Sequence, residues 1–118
     1  MANIKENVEE LNGMILSGQI LEAFDKFYAP EVVMQDNETP AREGSATCRE
    51  FEQSFINNLT AFNGAKVRNI MVSEDAGVAA IEWDFDYEHK EWGPRKYTQV
   101  AVQRWKDGKI VSEKFMYN

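Results

Sequence analysis

The chain has one cysteine, Cys48, in 118 residues, so no disulfide can close within it. A single histidine beside that single cysteine, with no ligand spacing between them, is too little for a zinc centre, and neither a metal nor a cofactor is expected. The seven glycines form no phosphate-cradling loop and no nucleophile elbow. Basic side chains are outnumbered, 13 Lys and Arg against 20 Asp and Glu, for a net charge of -7 without a basic patch, which argues against nucleic acid as a partner. Apolar runs fall far short of the roughly 18 residues needed to cross a bilayer, so no membrane span is expected. The opening MANIKENVEE has no basic or apolar signal region, which predicts a cytoplasmic location. What is present is an apolar share of 43% with 12% aromatics, enough to bury a core in one domain spanning residues 1–118.

Ile4, Val8, Leu11 and Ile15 recur at helical spacing and predict a helix over about residues 3–16. Ile20 or Leu21, Phe24, Phe27 and Tyr28 repeat the pattern until Pro30 ends it, and Val32 to Met34 read as a short strand before a polar loop, Gln35 to Gly44. Thr47 and Glu50 fit a capping box for a third helix carrying Phe51, Phe55, Leu59 and Phe62 and stopped by Asn63-Gly64. The period then changes to two, predicting strands over 65–73, 77–90, 95–106 and 109–117. Ala79, Ile81, Trp83, Phe85, Tyr87 and His89 share one face, and Glu82, Asp84, Asp86 and Glu88 form a solvated row on the other. A two-residue Asp107-Gly108 turn would set Val102 opposite Glu113, Val100 opposite Phe115 and Thr98 opposite Tyr117, placing a carboxylate on the apolar face; a bulge would shift that pairing. The expected architecture is α+β, a curved antiparallel sheet with helices on its apolar face.

Three segments in this order, Phe27-Tyr28-Ala29-Pro30-Glu31-Val32-Val33-Met34-Gln35-Asp36, Gly44 ahead of a helix with Phe51, and Trp105-Lys106-Asp107-Gly108-Lys109-Ile110-Val111, resemble the nuclear transport factor 2-like superfamily, which includes ketosteroid isomerase and the SnoaL-like polyketide cyclases. The resemblance covers nearly the whole chain and implies a cone with an internal pocket. It implies a general base at Asp36, where ketosteroid isomerase carries its aspartate at the end of the first strand, and it makes Glu113 similar in kind to the late-strand acid of the cyclases. The isomerase's oxyanion donors fall at Leu11 and about Val102, neither of which can donate from its side chain.

Two functions stay open on this reading. One is an isomerase, cyclase or hydratase acting on an apolar carbonyl compound, with Asp36 or Glu113 moving the proton. The other is a non-catalytic module that binds a small apolar ligand or serves self-association. Either way the expected wall comprises Tyr28, Phe51, Phe55, Trp83, Phe85, Tyr87, Phe115 and Tyr117, with His89 at an exposed rim. Cys48 reads as a small buried residue. A homodimer is expected through an outer sheet face bearing Tyr97, Ala101, Trp105, Ile110 and Met116.

Overall fold

The computed structural model describes residues 3–118. Helix α1 (Ile4–Leu16) starts at Asn3, whose side chain accepts a 2.8 Å hydrogen bond from the Glu6 amide. A second cap comes from far away in the chain: the Glu74 carboxylate accepts from the amides of Ile4 and Lys5 at 3.1 and 3.2 Å. Gly18, at φ +87, turns the chain into α2 (Ile20–Phe27).

Strand β1 (Tyr28–Asp36) begins directly after α2 and is longer than the Val32–Met34 run predicts. Pro30 lies inside it, within the register irregularity between Tyr28 and Val33, where no ladder hydrogen bond is demanded of its nitrogen. The polar loop holds a two-residue strand, β2 (Arg42–Glu43), absent from the sequence reading.

Helix α3 (Ser45–Asn57) is capped by Gly44 at φ +88 instead of by Thr47, and it stops at Asn58, well before Asn63-Gly64. Leu59 and Phe62 therefore belong to β3 (Leu59–Ser73), and Gly64 marks one of its three register shifts. Such bulges bend a strand, and here they bend an edge of the sheet. Strands β4 (Val78–His89), β5 (Gly93–Lys106) and β6 (Lys109–Met116) complete it.

The sheet is curved and unclosed, in the order β2-β1-β6-β5-β4-β3. It is mixed rather than wholly antiparallel, because β1 returns beside β6 in the parallel sense. The Asp107-Gly108 turn is the expected two-residue hairpin, with Lys106 opposite Lys109, but the register slips between Arg104 and Trp105. Glu113 consequently pairs with Gln103, not Val102, Phe115 pairs with Ala101, and Val100 pairs with Met116. That bulge reverses the expected faces of β5. Ala101, Trp105 and Ile110 are buried, so they cannot form an outer dimer patch, and Tyr97 also turns inward.

Val8, Leu11, Phe24, Phe27, Val32, Met34, Ile81, Trp83, Trp105 and Ile110 form the core between the helices and the concave side of the sheet. The acidic row on β4 faces outward as expected, with Glu82 accepting from Asn69, Asp84 from Thr98 and Asp86 from Asn63. Among the described residues no helix is long and apolar enough to cross a membrane.

Candidate functional site

The three helices do not fill the concave side of so bent a sheet, and a cavity of about 170 Å³ remains. Tyr28, Phe51, Phe55, Trp83, Phe85, Tyr87, Phe115 and Tyr117 all line it, as do Asp36 and Glu113. His89 does not. It is buried, 4% exposed, with the Trp92 indole stacked on it at 3.8 Å and Phe55 on its flank, so the expected exposed rim is incorrect. Trp92, which the sequence placed in a turn and not in the wall, lies over that strand end and joins the cavity wall.

Glu113 is carried inward by β6 and is 4% exposed. The Tyr28 hydroxyl donates to its Oε1, and Gln103 Nε2 donates to its Oε2 at 2.8 Å. Gln103 is fixed in turn by accepting from the Trp105 indole at 3.1 Å, which leaves its amide one orientation. Burial pushes the Glu113 carboxyl up to about 7, against the downward pull of its two hydrogen bonds, and the negative charge of Asp36 adds to the rise. Tyr28 is stacked on Phe24 at 4.6 Å, and burial together with Glu113 raises its hydroxyl well above the usual tyrosine range.

Asp36 ends β1 and is held on both oxygens. Arg42 Nη2 lies 2.8 Å from Oδ1, and the Tyr117 hydroxyl donates to Oδ2 at 2.7 Å. The guanidinium of Arg42 also lies over the Phe51 ring, 3.7 Å from its centre. Asp36 is thus tied into an ion pair at the wall, whereas Glu113 meets the cavity among apolar side chains with neutral partners only.

Glu52 on α3 was missed by the sequence reading. Burial pushes its carboxyl up to about 7, with the charge of Glu113 raising it further and Arg42 opposing. Its signal was available, since Cys48, Glu52 and Phe55 recur at i, i+4, i+7 and all turn toward the sheet. Gln99, Gln103 and Asn12 also line the cavity without having been anticipated. Cys48 is fully buried, its thiol directed at the Arg42 carbonyl at 3.4 Å. Among the described residues, no three His, Cys, Asp or Glu side chains are grouped to hold a metal ion.

Residues 8–113 match the family model described as the SnoaL-like domain. The chain belongs to that family. Its solved SnoaL-like neighbours include a presumed SnoaL-like polyketide cyclase from Mesorhizobium loti, 23% identical with a TM-score of 0.85 over 97% of this chain and 98% of that one. A nuclear transport factor 2-like protein from Burkholderia pseudomallei is 13% identical, with a TM-score of 0.83 over 100% and 92% of the two chains. A protein of ketosteroid isomerase-like fold from Catenulispora acidiphila, solved in complex with trimethylamine, is 12% identical with a TM-score of 0.70 over 86% and 78%. No curated protein matches the sequence. At these identities the neighbours establish the SnoaL-like fold and not a reaction.

Proposed function

We propose that this SnoaL-like domain is an acid–base enzyme acting on an apolar carbonyl compound, an isomerase, cyclase or hydratase in which Glu113 moves the proton. The observation that carries this reading is a buried carboxyl with a value of about 7, opening on an apolar cavity and oriented by Tyr28 and Gln103. A proton-transfer group works best near the ambient pH, and burial brings Glu113 there. In its ionised form Glu113 takes a hydrogen from the carbon beside the carbonyl. The C–H electron pair forms a C=C bond and the carbonyl π pair moves onto oxygen; in the isomerase case, with an unsaturated ketone, the oxygen pair then re-forms the carbonyl while the shifted C=C pair takes the proton from Glu113 at a second carbon. Asp36, bound by Arg42 and Tyr117, serves as a fixed negative charge that holds Glu113 up rather than as the base. The presumed cyclase among the neighbours is consistent with carbonyl substrates. The test is exchange of α-hydrogens for deuterium in a panel of enolisable cyclic ketones, followed by NMR. Exchange above the buffer rate that disappears in Glu113→Gln supports the reading, and no exchange with any ketone overturns it in favour of a non-catalytic binding module.

We also propose self-association through a different patch from the one first expected. Met71, Ala80 and Val102 align across the convex side, beside the neighbouring Val100–Met116 pair, and Met71 and Met116 are 53% and 41% exposed. Light scattering should give the mass of two chains, falling to one in Met71→Lys.

A further inference from the structure

Three carboxyl groups border the cavity, Asp36, Glu52 and Glu113, and among the described residues no lysine, arginine or histidine does. Two of the three are satisfied by the protein. Asp36 has Arg42 on one oxygen and the Tyr117 hydroxyl on the other, and Glu113 has Tyr28 and Gln103. Glu52 has nothing of the kind: among the described residues no donor bonds to it, and the positive charge of Arg42, paired with Asp36, acts on it only across a distance. Its oxygens are also within reach of a ligand. Among the described residues the unpaired side-chain atoms sealed from solvent are Asn12 Nδ2 and Arg42 Nε, and neither oxygen of Glu52 belongs with them.

A carboxylate without a donor or a counter-charge in an apolar wall is costly. The effect is visible in Glu52 itself, whose carboxyl is pushed up to about 7 by burial and by the charge of Glu113. A ligand carrying a carboxylate or phosphate would add to that cost, and a cation relieves it. A bare metal ion is a poor fit, since among the described residues no three ligating side chains are grouped to hold one. An ammonium group fits better, with three N–H donors and no acceptor, for it brings Glu52 both the hydrogen bonds and the counter-charge that no side chain supplies. The rest of the wall suits an apolar body. Phe55 stands one turn along α3 from Glu52, and Trp83 and Phe85 are stacked at 5.2 Å, rings whose faces attract cations as well.

We propose that the cavity binds a cationic amine, an apolar compound whose ammonium group donates to the Glu52 carboxylate while its hydrocarbon part lies against the aromatic wall. This rests on the carbonyl-substrate reading above for what Glu113 does, and it narrows the substrate class to amino ketones protonated at nitrogen. Glu52 then binds and orients the compound and moves no proton, while Glu113 faces the carbon beside the carbonyl.

The test uses 2-aminotetralin and 2-tetralol, a cation and a neutral compound of the same shape, at pH 8, where Glu52 is ionised and the amine still protonated. Binding is followed by tryptophan fluorescence, since Trp83 is in the wall. One hydrogen bond to an ionised group predicts that the wild type prefers the amine by about tenfold. Glu52→Gln, which keeps the shape without the charge, should lose that preference and keep its affinity for 2-tetralol within about twofold. Glu52→Leu should lose the preference too and covers the case in which the glutamine variant does not fold. An undiminished preference in either variant, or no preference in the wild type, overturns the proposal. The two readings fail separately: an amine preference that depends on Glu52, without α-hydrogen exchange in any ketone, removes the acid–base role of Glu113 alone. Exchange with a preference indifferent to residue 52 removes only the role of Glu52.

Discussion

Replacing Glu113 by glutamine should destabilise the protein in acid and stabilise it above neutrality. The unfolded chain releases the Glu113 proton near the ordinary 4.5, while the folded state holds it to about 7. Across that interval folding takes up a proton, so the contribution of Glu113 is fully present below pH 4.5 and declines by about 1.4 kcal/mol per pH unit, to be lost once pH passes 7. The whole loss is about 3 kcal/mol. Glutamine cannot titrate, so the variant escapes it. It does incur a hydrogen-bond mismatch: Tyr28 can still donate to the new carbonyl, but Gln103 Nε2 would face a second NH₂ and cannot turn over without abandoning the Trp105 indole. That loss is worth about 1 kcal/mol at any pH. The variant should therefore be less stable by about 1 kcal/mol at pH 4.5 and more stable by about 2 kcal/mol at pH 8. Urea unfolding of both proteins at half-unit pH steps, read by tryptophan fluorescence, gives the difference directly and cancels the titration of carboxylates the two share. A difference that stays flat from pH 5 to pH 8 would refute the reasoning, for it would mean that Glu113 ionises in the folded protein as it does in the unfolded one.

Tyr28→Phe removes a hydrogen bond that favours the charged form of Glu113, so the pH profile of α-hydrogen exchange should move upward by about one pH unit, since a bond to an ionised group is worth about 1.5 kcal/mol. Asp36→Asn removes a nearby negative charge and should move the same profile downward while leaving exchange measurable at neutral pH; complete loss would return Asp36 to the role of base. Gly77→Ala should destabilise by about 1–3 kcal/mol in thermal melts, because φ there is +70 and the added Cβ would stand 3.0 Å from the Trp105 carbonyl.

Those residues also show where the sequence was informative. Alternation along β4 placed Trp83, Phe85 and Tyr87 on the cavity face, since a strand with one wet side carries its orientation in its own letters. The inward direction of Glu113 was legible for the same reason, through Phe115 on the same strand and Tyr117 just beyond its end. Strand β5 was not, because its faces were carried across the Asp107-Gly108 turn by counting in twos. Val111 is an extra residue there, which lets Ile110 and Glu113 both turn inward although they are three apart. Helix α3 was misplaced at its start because its cap is a glycine at positive φ while Thr47 offered a more familiar signal, and at its end because Leu59 and Phe62 keep helical spacing although they lie in β3. Gln103 was invisible, since an amide on an apolar stripe shows its purpose only when its neighbours in space are known.

The reach of Glu74 to the start of α1 sets an order of events for a chain emerging from the ribosome. The carboxylate that receives the amides of Ile4 and Lys5 is made some 70 residues after them, at the turn between β3 and β4. Until then only Asn3 caps its first turn, and an isolated helix of 13 residues is marginal in water. The wall that carries Leu11 and Asn12 thus closes over the cavity only after the hairpin opposite it exists, and the pocket is among the last parts of the molecule to acquire its shape.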